Sequence, residues 1–197
     1  MNKGGNENRS VRNTKRRLRE GLLSLLQERQ LSEISVRELA ELADVNRGTF
    51  YFHYNDLHDM LQQLEDEFFQ GFYAVLNSRE PTAPDRSSAC SYLQSVFTFL
   101  AENQDFCRVL LGPRGDIRFV SRLKALVGEK CSSFWQMAIP QGDPQRYGLF
   151  NAFIINGCVG LVETWLNGGL VQSPGELADL AAKVIVSSTS AYLPVSR

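Results

Sequence analysis

The stretch from Ser35 to Tyr54, SVRELAELADVNRGTFYFHY, constrains the fold of this chain more than any other. Ser35 and Glu38 stand at the S-x-x-E spacing of a capping box. Val36, Leu39, Ala40 and Ala43 then recur at helical spacing. Asp44-Val45 reads as a turn, and Asn46 can cap a second helix. Two short helices joined this way have the lengths of a helix-turn-helix. The run Thr49–Tyr54 opposes that reading, because its six residues are aromatic or β-branched and read locally as a strand. Wound forward from Asn46 at about 100° per residue, however, Phe50 and Tyr54 share one face, with Val45 leading in. That face can close on Leu39, Ala43 and the preceding helix. Gly48, Thr49, Tyr51 and Phe52 fall opposite, and Arg47 stands at the N-terminal end. Small residues admit close approach, hydroxyls and an imidazole suit phosphates, and Arg and aromatic rings suit base edges and thymine methyls. The expectation is that context overrides the β preference and that this surface is made for a DNA groove.

The remainder reads as helical. Met1–Asn8 is Gly/Asn-rich and is expected to be disordered, with a first helix from Ser10 to about Arg29–Gln30 carrying Val11, Leu18, Leu22, Leu25 and Leu26. After Asn55-Asp56, the residues Leu57, Met60, Leu61, Leu64, Phe68, Phe72 and Val75 keep helical spacing to Asn77. Ser78–Ser88, with two prolines, is a loop. Helices follow over Ala89–Glu102, Asp105–Leu111 and Asp116–Met137. Asp143 caps another, with Pro144 in its first position, and it runs to Leu166 before Gly168-Gly169. Ser173, Pro174 and Glu176 start the last helix, which runs to about Tyr192. The fold class is therefore all-α with about nine helices, and no internal repeat is present.

Charge is uneven. The whole chain of 197 residues carries a net −1. Met1–Arg19, however, holds Lys3, Arg9, Arg12, Lys15, Arg16, Arg17 and Arg19 against Glu7 alone. A basic end on an acidic body suits an anionic partner. Cys90, Cys107, Cys131 and Cys158 have no metal-ligand spacing and lie in apolar surroundings, as buried reduced thiols of a cytoplasmic protein do. The polar, basic N-terminus is expected to carry no secretory signal. The apolar run Leu149–Val162, bracketed by Arg146 and Glu163, is expected to be too short to span a bilayer, so no membrane partner is foreseen. With only two histidines and no convergent acid/base or nucleophile set, an enzyme is not expected, and no cofactor or metal site is visible.

SVRELAELADVNRGTFYFHYNDLHDML closely resembles the DNA-binding signature of the TetR (tetracycline-repressor-like) family. Ser35, Leu39-Ala40, Ala43, Val45, Gly48-Thr49, Phe50, Tyr51 and His53-Tyr54 carry the match. It is strong over about Val11–Leu61, and GCVGLVETWLNGGLVQSPGELADL looks like the last two helices of one branch. Two positions depart from the pattern. Asp44 replaces a turn glycine, which Asp can do because it tolerates the left-handed conformation. Leu57 replaces a phosphate-contacting lysine, leaving only backbone N–H groups at that helix start for a phosphate. The resemblance implies a DNA-binding domain over 1–55, with the helix-turn-helix at about 35–54, and a helical ligand-binding and dimerisation domain over 56–197. By carry-over, Arg37 reads a base in the major groove, and Arg47, Gly48 and Phe52 touch base edges or methyls. Thr49, Tyr51 and His53 meet phosphates, and Lys15, Arg16 and Arg17 flank the backbone. The implied DNA partner is a double-stranded, pseudo-palindromic operator.

The helix from Arg146 to Leu166 is apolar nearly all round, so both faces need cover. Phe150, Gly157 and Leu161, with Leu177, Ala181, Val184 and Ser188 of the final helix, are the expected interface of a homodimer built through a four-helix bundle. The resemblance also implies a small-molecule inducer in a pocket between the middle helices. Phe69, Phe72, Phe97, Phe134 and Trp135 are its candidate walls, and Arg108 and Asn156 its polar fixers. The resulting expectation is a repressor released from its operator by a small apolar ligand. The competing expectation keeps the DNA-binding end and makes the C-terminal body a docking surface for a protein co-regulator.

Overall fold

The computed structural model describes residues 3–78, 85–112, 115–138 and 144–192, with side chains except at 3–8, 133–138, 144, 146 and 189–192. Among the described residues there are nine α-helices, one 3-10 turn and no strand. They form two compact units, Met1–Phe69 and Gln70–Arg197, and the division falls within one helix.

The first unit comprises α1 (Lys3–Glu28), a 3-10 turn (Leu31–Glu33), α2 (Val36–Leu42), α3 (Arg47–His53) and the first part of α4 (Leu57–Ser78). Helix α1 begins at Lys3 rather than Ser10. Adding residues to an existing helix needs no new nucleus, so weak formers such as Gly4, Gly5 and Asn6 can extend it. Leu18, Leu22, Leu23, Leu25 and Leu26 are buried along its inner face. Gly21 permits the approach of α2, since a Cβ there would stand 3.0 Å from Leu39 Cδ1. Ser35 caps α2, its Oγ accepting from the Glu38 N–H at 3.2 Å. The Arg29 guanidinium donates to the Glu38 carboxylate and holds it below the usual carboxylate range. Asp44 adopts φ 48°, the left-handed turn expected of it.

The second unit contains the end of α4, α5 (Arg86–Glu102), α6 (Gln104–Leu110), α7 (Ile117–Ala138), α8 (Pro144–Asn167) and α9 (Pro174–Tyr192). Asp85 caps α5, its Oδ1 accepting from the Ser88 N–H at 2.9 Å. Helix α5 packs along α9, and α7 and α6 pack on α8. Arg86 of α5 pairs with Asp179 of α9. Gly169, at φ 82°, ends α8. A capping box starts α9: the Ser173 N–H donates to Glu176 Oε2 at 2.8 Å, and Ser173 Oγ accepts from the Glu176 N–H at 3.3 Å. The Asp143 cap expected for α8 lies outside the described residues.

Two expectations are corrected here. The window Tyr147–Asn167 is long and apolar enough to cross a membrane by length and composition, with mean hydropathy 1.4, although the shorter run was read as insufficient. Only Glu163 is charged within it, and Gly157 and Gly160 lower hydropathy too little to offset its aliphatic residues. One side of the helix packs within the unit through Ile154, Ile155, Val162, Trp165 and Leu166. The four cysteines form no disulfide, but only Cys107 is fully buried; Cys90, Cys131 and Cys158 are half-buried.

Candidate nucleic-acid interface

Helix α3 is short and fixed at both ends. Asn46 Oδ1 accepts from the Gly48 N–H at 2.7 Å, and the Tyr54 N–H closes the last turn on Phe50 O at 3.0 Å. Phe50 is fully buried and Tyr54 nearly so, with ring centroids 5.6 Å apart. Lys15 of α1 lies over the Tyr54 ring, 5.6 Å from its centroid. Six residues with strand preference thus provide one buried anchor and an outward face, because a helix divides them by a period of 3.6 rather than 2. Arg47 and Gly48 are exposed. Tyr51 and Phe52 are exposed at 59% and 80% of their surface. Leaving so much aromatic surface in water has no packing purpose within the unit. Thr49 and His53, at the margin between the two faces, are half-buried. Burial, and secondly the Lys15 charge, lower the His53 pKa below its ordinary value. At neutral pH its imidazole is therefore uncharged.

The basic residues divide in a way that spacing does not reveal. Arg37 on α2 is exposed, and its Nε donates to Glu41 Oε1 at 2.8 Å. Arg16 is exposed and bonded to Glu20 Oε1 at 3.0 Å and Asn13 Oδ1 at 2.9 Å. Arg17 was grouped with the backbone-flanking bases. Its Nη2 instead donates to Asp44 O and Asp44 Oδ2, both at 2.6 Å, and so clamps the turn before α3 to α1. The carboxylate that replaced glycine in the turn therefore has a structural partner.

The start of α4 carries carboxylates. Leu57 is buried. Asp56 Oδ1 accepts from the Asp59 N–H at 2.8 Å, and Asp59 Oδ2 accepts from the Asn55 N–H at 2.7 Å. The Asn55 N–H, then the Gln63 amide, hold the Asp59 carboxyl below its usual range. Two N–H groups at this helix start, those of Asn55 and Asp59, are thus taken by carboxylates.

In the second unit a cavity of about 210 Å³ lies among α4, α5, α7, α8 and α9. Of the expected pocket residues, Phe72 and Phe97 line it. Phe69 is buried in the first unit. Arg108 does not line it, because its Nε donates to Leu166 O at 3.0 Å. Asn156 does not either: it is exposed, accepts from Lys124 Nζ at 2.8 Å and donates to Ala152 O at 2.7 Å. The side chains of Phe134 and Trp135 lie outside the described residues. Spacing missed Leu76, Tyr92, Leu93, Val127, Lys130, Cys131 and Cys158, all of which line the cavity. A signal was present: Leu123, Val127 and Lys130 share one helical stripe, and a lysine on an apolar stripe is out of place.

The dimer candidates also divide. Gly157 is exposed with open space around it, beside Leu149 and Phe153, exposed at 77% and 67%. Phe150, Leu161 and Ser188 are half-buried, while Val184 and its neighbour Leu180 are each 51% exposed. Leu177 and Ala181 are buried inside the unit, on the helix that packs along α5, and so are not on the open face expected for them.

Residues 89–187 match a TetR C-terminal family model described as "Transcriptional regulator C-terminal region". The chain belongs to the TetR family of transcriptional regulators. Over 140 residues it is 26% identical to the probable HTH-type transcriptional regulator YttP of Bacillus subtilis, an alignment covering 68% of this chain and 66% of YttP. The chain thus spans just under two thirds of that relative's length. A TetR transcriptional regulator from Streptococcus agalactiae has the same fold, with TM-score 0.60, 21% identity, and coverage of 91% of this chain and 97% of that one. The FadR regulator of Bacillus subtilis, solved in complex with stearoyl-CoA, has TM-score 0.63, 15% identity, and coverage of 87% and 97%.

Proposed function

We propose that this chain is a cytoplasmic, homodimeric repressor that reads a pseudo-palindromic operator with α3 and releases it when a small apolar molecule enters the second unit. The observation that carries this reading is the cavity of about 210 Å³ inside an otherwise packed helical body. An engineered apolar cavity of about 150 Å³ accepts benzene, so this volume accommodates a small organic molecule. A ligand shifts the DNA-binding equilibrium only if it prefers the conformation that cannot dock.

In this reading Arg37, Arg47, Gly48 and Phe52 meet base edges, and Thr49, Tyr51, His53, Lys15 and Arg16 meet phosphates or flank them. The exposed apolar residues Leu149, Phe153, Leu180 and Val184 suit a second copy of the chain, which also supplies the second half-site reader. The same patch is the observation that favours control by a protein co-regulator instead. Fluorescence anisotropy of an operator complex, titrated with a panel of apolar metabolites, separates the two. Release by a small molecule that is weakened by Ala89→Leu, which puts a side chain into the cavity, is the expected result. Release by no small molecule, but by a protein fraction, would assign control to docking.

A further inference from the structure

The chain passes from α2 to α3 through Asp44, Val45 and Asn46. The Asp44 N–H donates to Glu41 O at 3.2 Å, and the Val45 N–H to Ala40 O at 2.9 Å. With Asp44 left-handed at φ 48°, these two bonds form a Schellman motif. Glycine suits that position because a Cβ is crowded in the left-handed conformation. Here an aspartate holds it. Helix α2 also has no basic residue in its own last turn to complement its negative end.

Arg17 supplies from α1 what the turn lacks. Its Nη2 donates to Asp44 O and to Asp44 Oδ2, both at 2.6 Å. One cation thus grips the backbone and the side chain of the same left-handed residue. The Arg17 side chain is 34% exposed and that of Asp44 95%, so as an ion pair alone the contact stabilises little. Its consequence is one of direction. Arg29 ties the start of α2 to α1 through Glu38, and Gly21 admits Leu39 between the two ties. Helix α2 is therefore held to α1 at both ends, and Arg17 holds the end that leads into α3. Helix α3 has seven residues and so is about 10 Å long. A swing of about 10° at the turn would move its far end by about 2 Å, more than a hydrogen bond to a base edge tolerates.

We propose that Arg17 is a positioning residue for DNA recognition. By holding Asp44 it fixes the angle at which α3 meets the duplex, and its guanidinium is committed to the turn rather than to a phosphate. The inference rests on the reading of α3 as the DNA reader.

Fluorescence anisotropy of the full chain on a duplex selected from a random pool, over a range of salt concentrations, tests it. Arg17→Met, which keeps an unbranched apolar stem, is expected to weaken binding about tenfold. The slope of log affinity against log salt is expected to stay at the wild-type value. Loss of a phosphate contact would instead reduce that slope by about 0.9. Asp44→Gly adopts the left-handed turn without help. In that background Arg17→Met is therefore expected to cost about twofold or less. Circular dichroism checks that each variant is folded at the temperature of the binding measurement, which separates orientation from loss of fold. Three results would each overturn the assignment and leave α3 as the reader: no loss of affinity in Arg17→Met, a slope reduced by about 0.9, or an undiminished loss in the Asp44→Gly background. A wild-type chain that selects no duplex from the pool would remove both.

Discussion

The two units carry function in different ways. In the first, the surface proposed to read DNA sits on one seven-residue helix, and its outward residues are neighbours in sequence. In the second, the cavity walls come from five helices spread between Phe72 and Ile185. The first is closely packed, with room for only a glycine between α1 and α2. The second encloses space. A DNA reader must be rigid to hold register on a duplex, whereas an effector site needs volume and can accept the packing loss a void entails.

Removing the anchor of α3 should have the largest effect. Phe50 is fully buried, so Phe50→Ala is expected to cost about 3–5 kcal/mol. Hydrogen exchange should show α2 and α3 deprotected while α5 and α9 keep their protection. Equal loss in both units would break the contrast, because it would mean one cooperative body.

Adding bulk sharpens the same contrast. Gly21→Leu drives a side chain against buried Leu39 and is expected to destabilise by about 1–3 kcal/mol. Ala89→Leu, facing the cavity, should be absorbed at a cost below about 1 kcal/mol. Thermal unfolding of the two variants compares them directly, and similar losses would show that the cavity is not available space.

Within the first unit, Arg37→Ala should relax sequence preference by about 1–3 kcal/mol against the wrong base. Tyr51→Ala should instead weaken specific and non-specific DNA alike. Competition binding with operator and scrambled duplex reads the difference, and uniform weakening by Arg37→Ala would take that residue out of base readout.

The smallest effect is a pH dependence. The folded pKa of His53 lies below the ordinary 6.5, so the unfolded chain takes up its proton first as pH falls. Stability contributed by neutral His53 is present above that ordinary value and is lost as pH falls through the depressed folded pKa. Protonation also gives the imidazole a charge for phosphate, so operator affinity should rise over the range where stability falls. Chemical denaturation and anisotropy from pH 7.5 to 5 measure both slopes, and His53→Gln should flatten both.

The same contrast explains what was legible in the sequence. The caps at Ser35 and Asn46, the left-handed Asp44 and the burial of Phe50 and Tyr54 follow from local spacing, and the structure has them there. The pairing of Arg17 with Asp44 was not legible, because the two are 27 residues apart. Arg108 and Asn156 were chosen as polar groups near apolar runs, but a carbonyl oxygen and a lysine occupy them, and neither pairing leaves a mark on local pattern. Leu177 and Ala181 failed for a related reason. A helix that is apolar on more than one side does not say which side its own chain covers, and here α9 packs along α5. Lys130 was visible on its stripe, yet only the fold shows that the stripe faces a void.

The central claim is that α3 reads sequence, and does so in duplicate. Selection of bound fragments from a random duplex pool, at a salt concentration that suppresses non-specific binding, tests it most directly. The expected product is a two-fold symmetric site whose half-sites are centred about one helical turn, roughly 34–36 Å, apart. Enrichment of a single asymmetric site, or of no sequence at all, would contradict it.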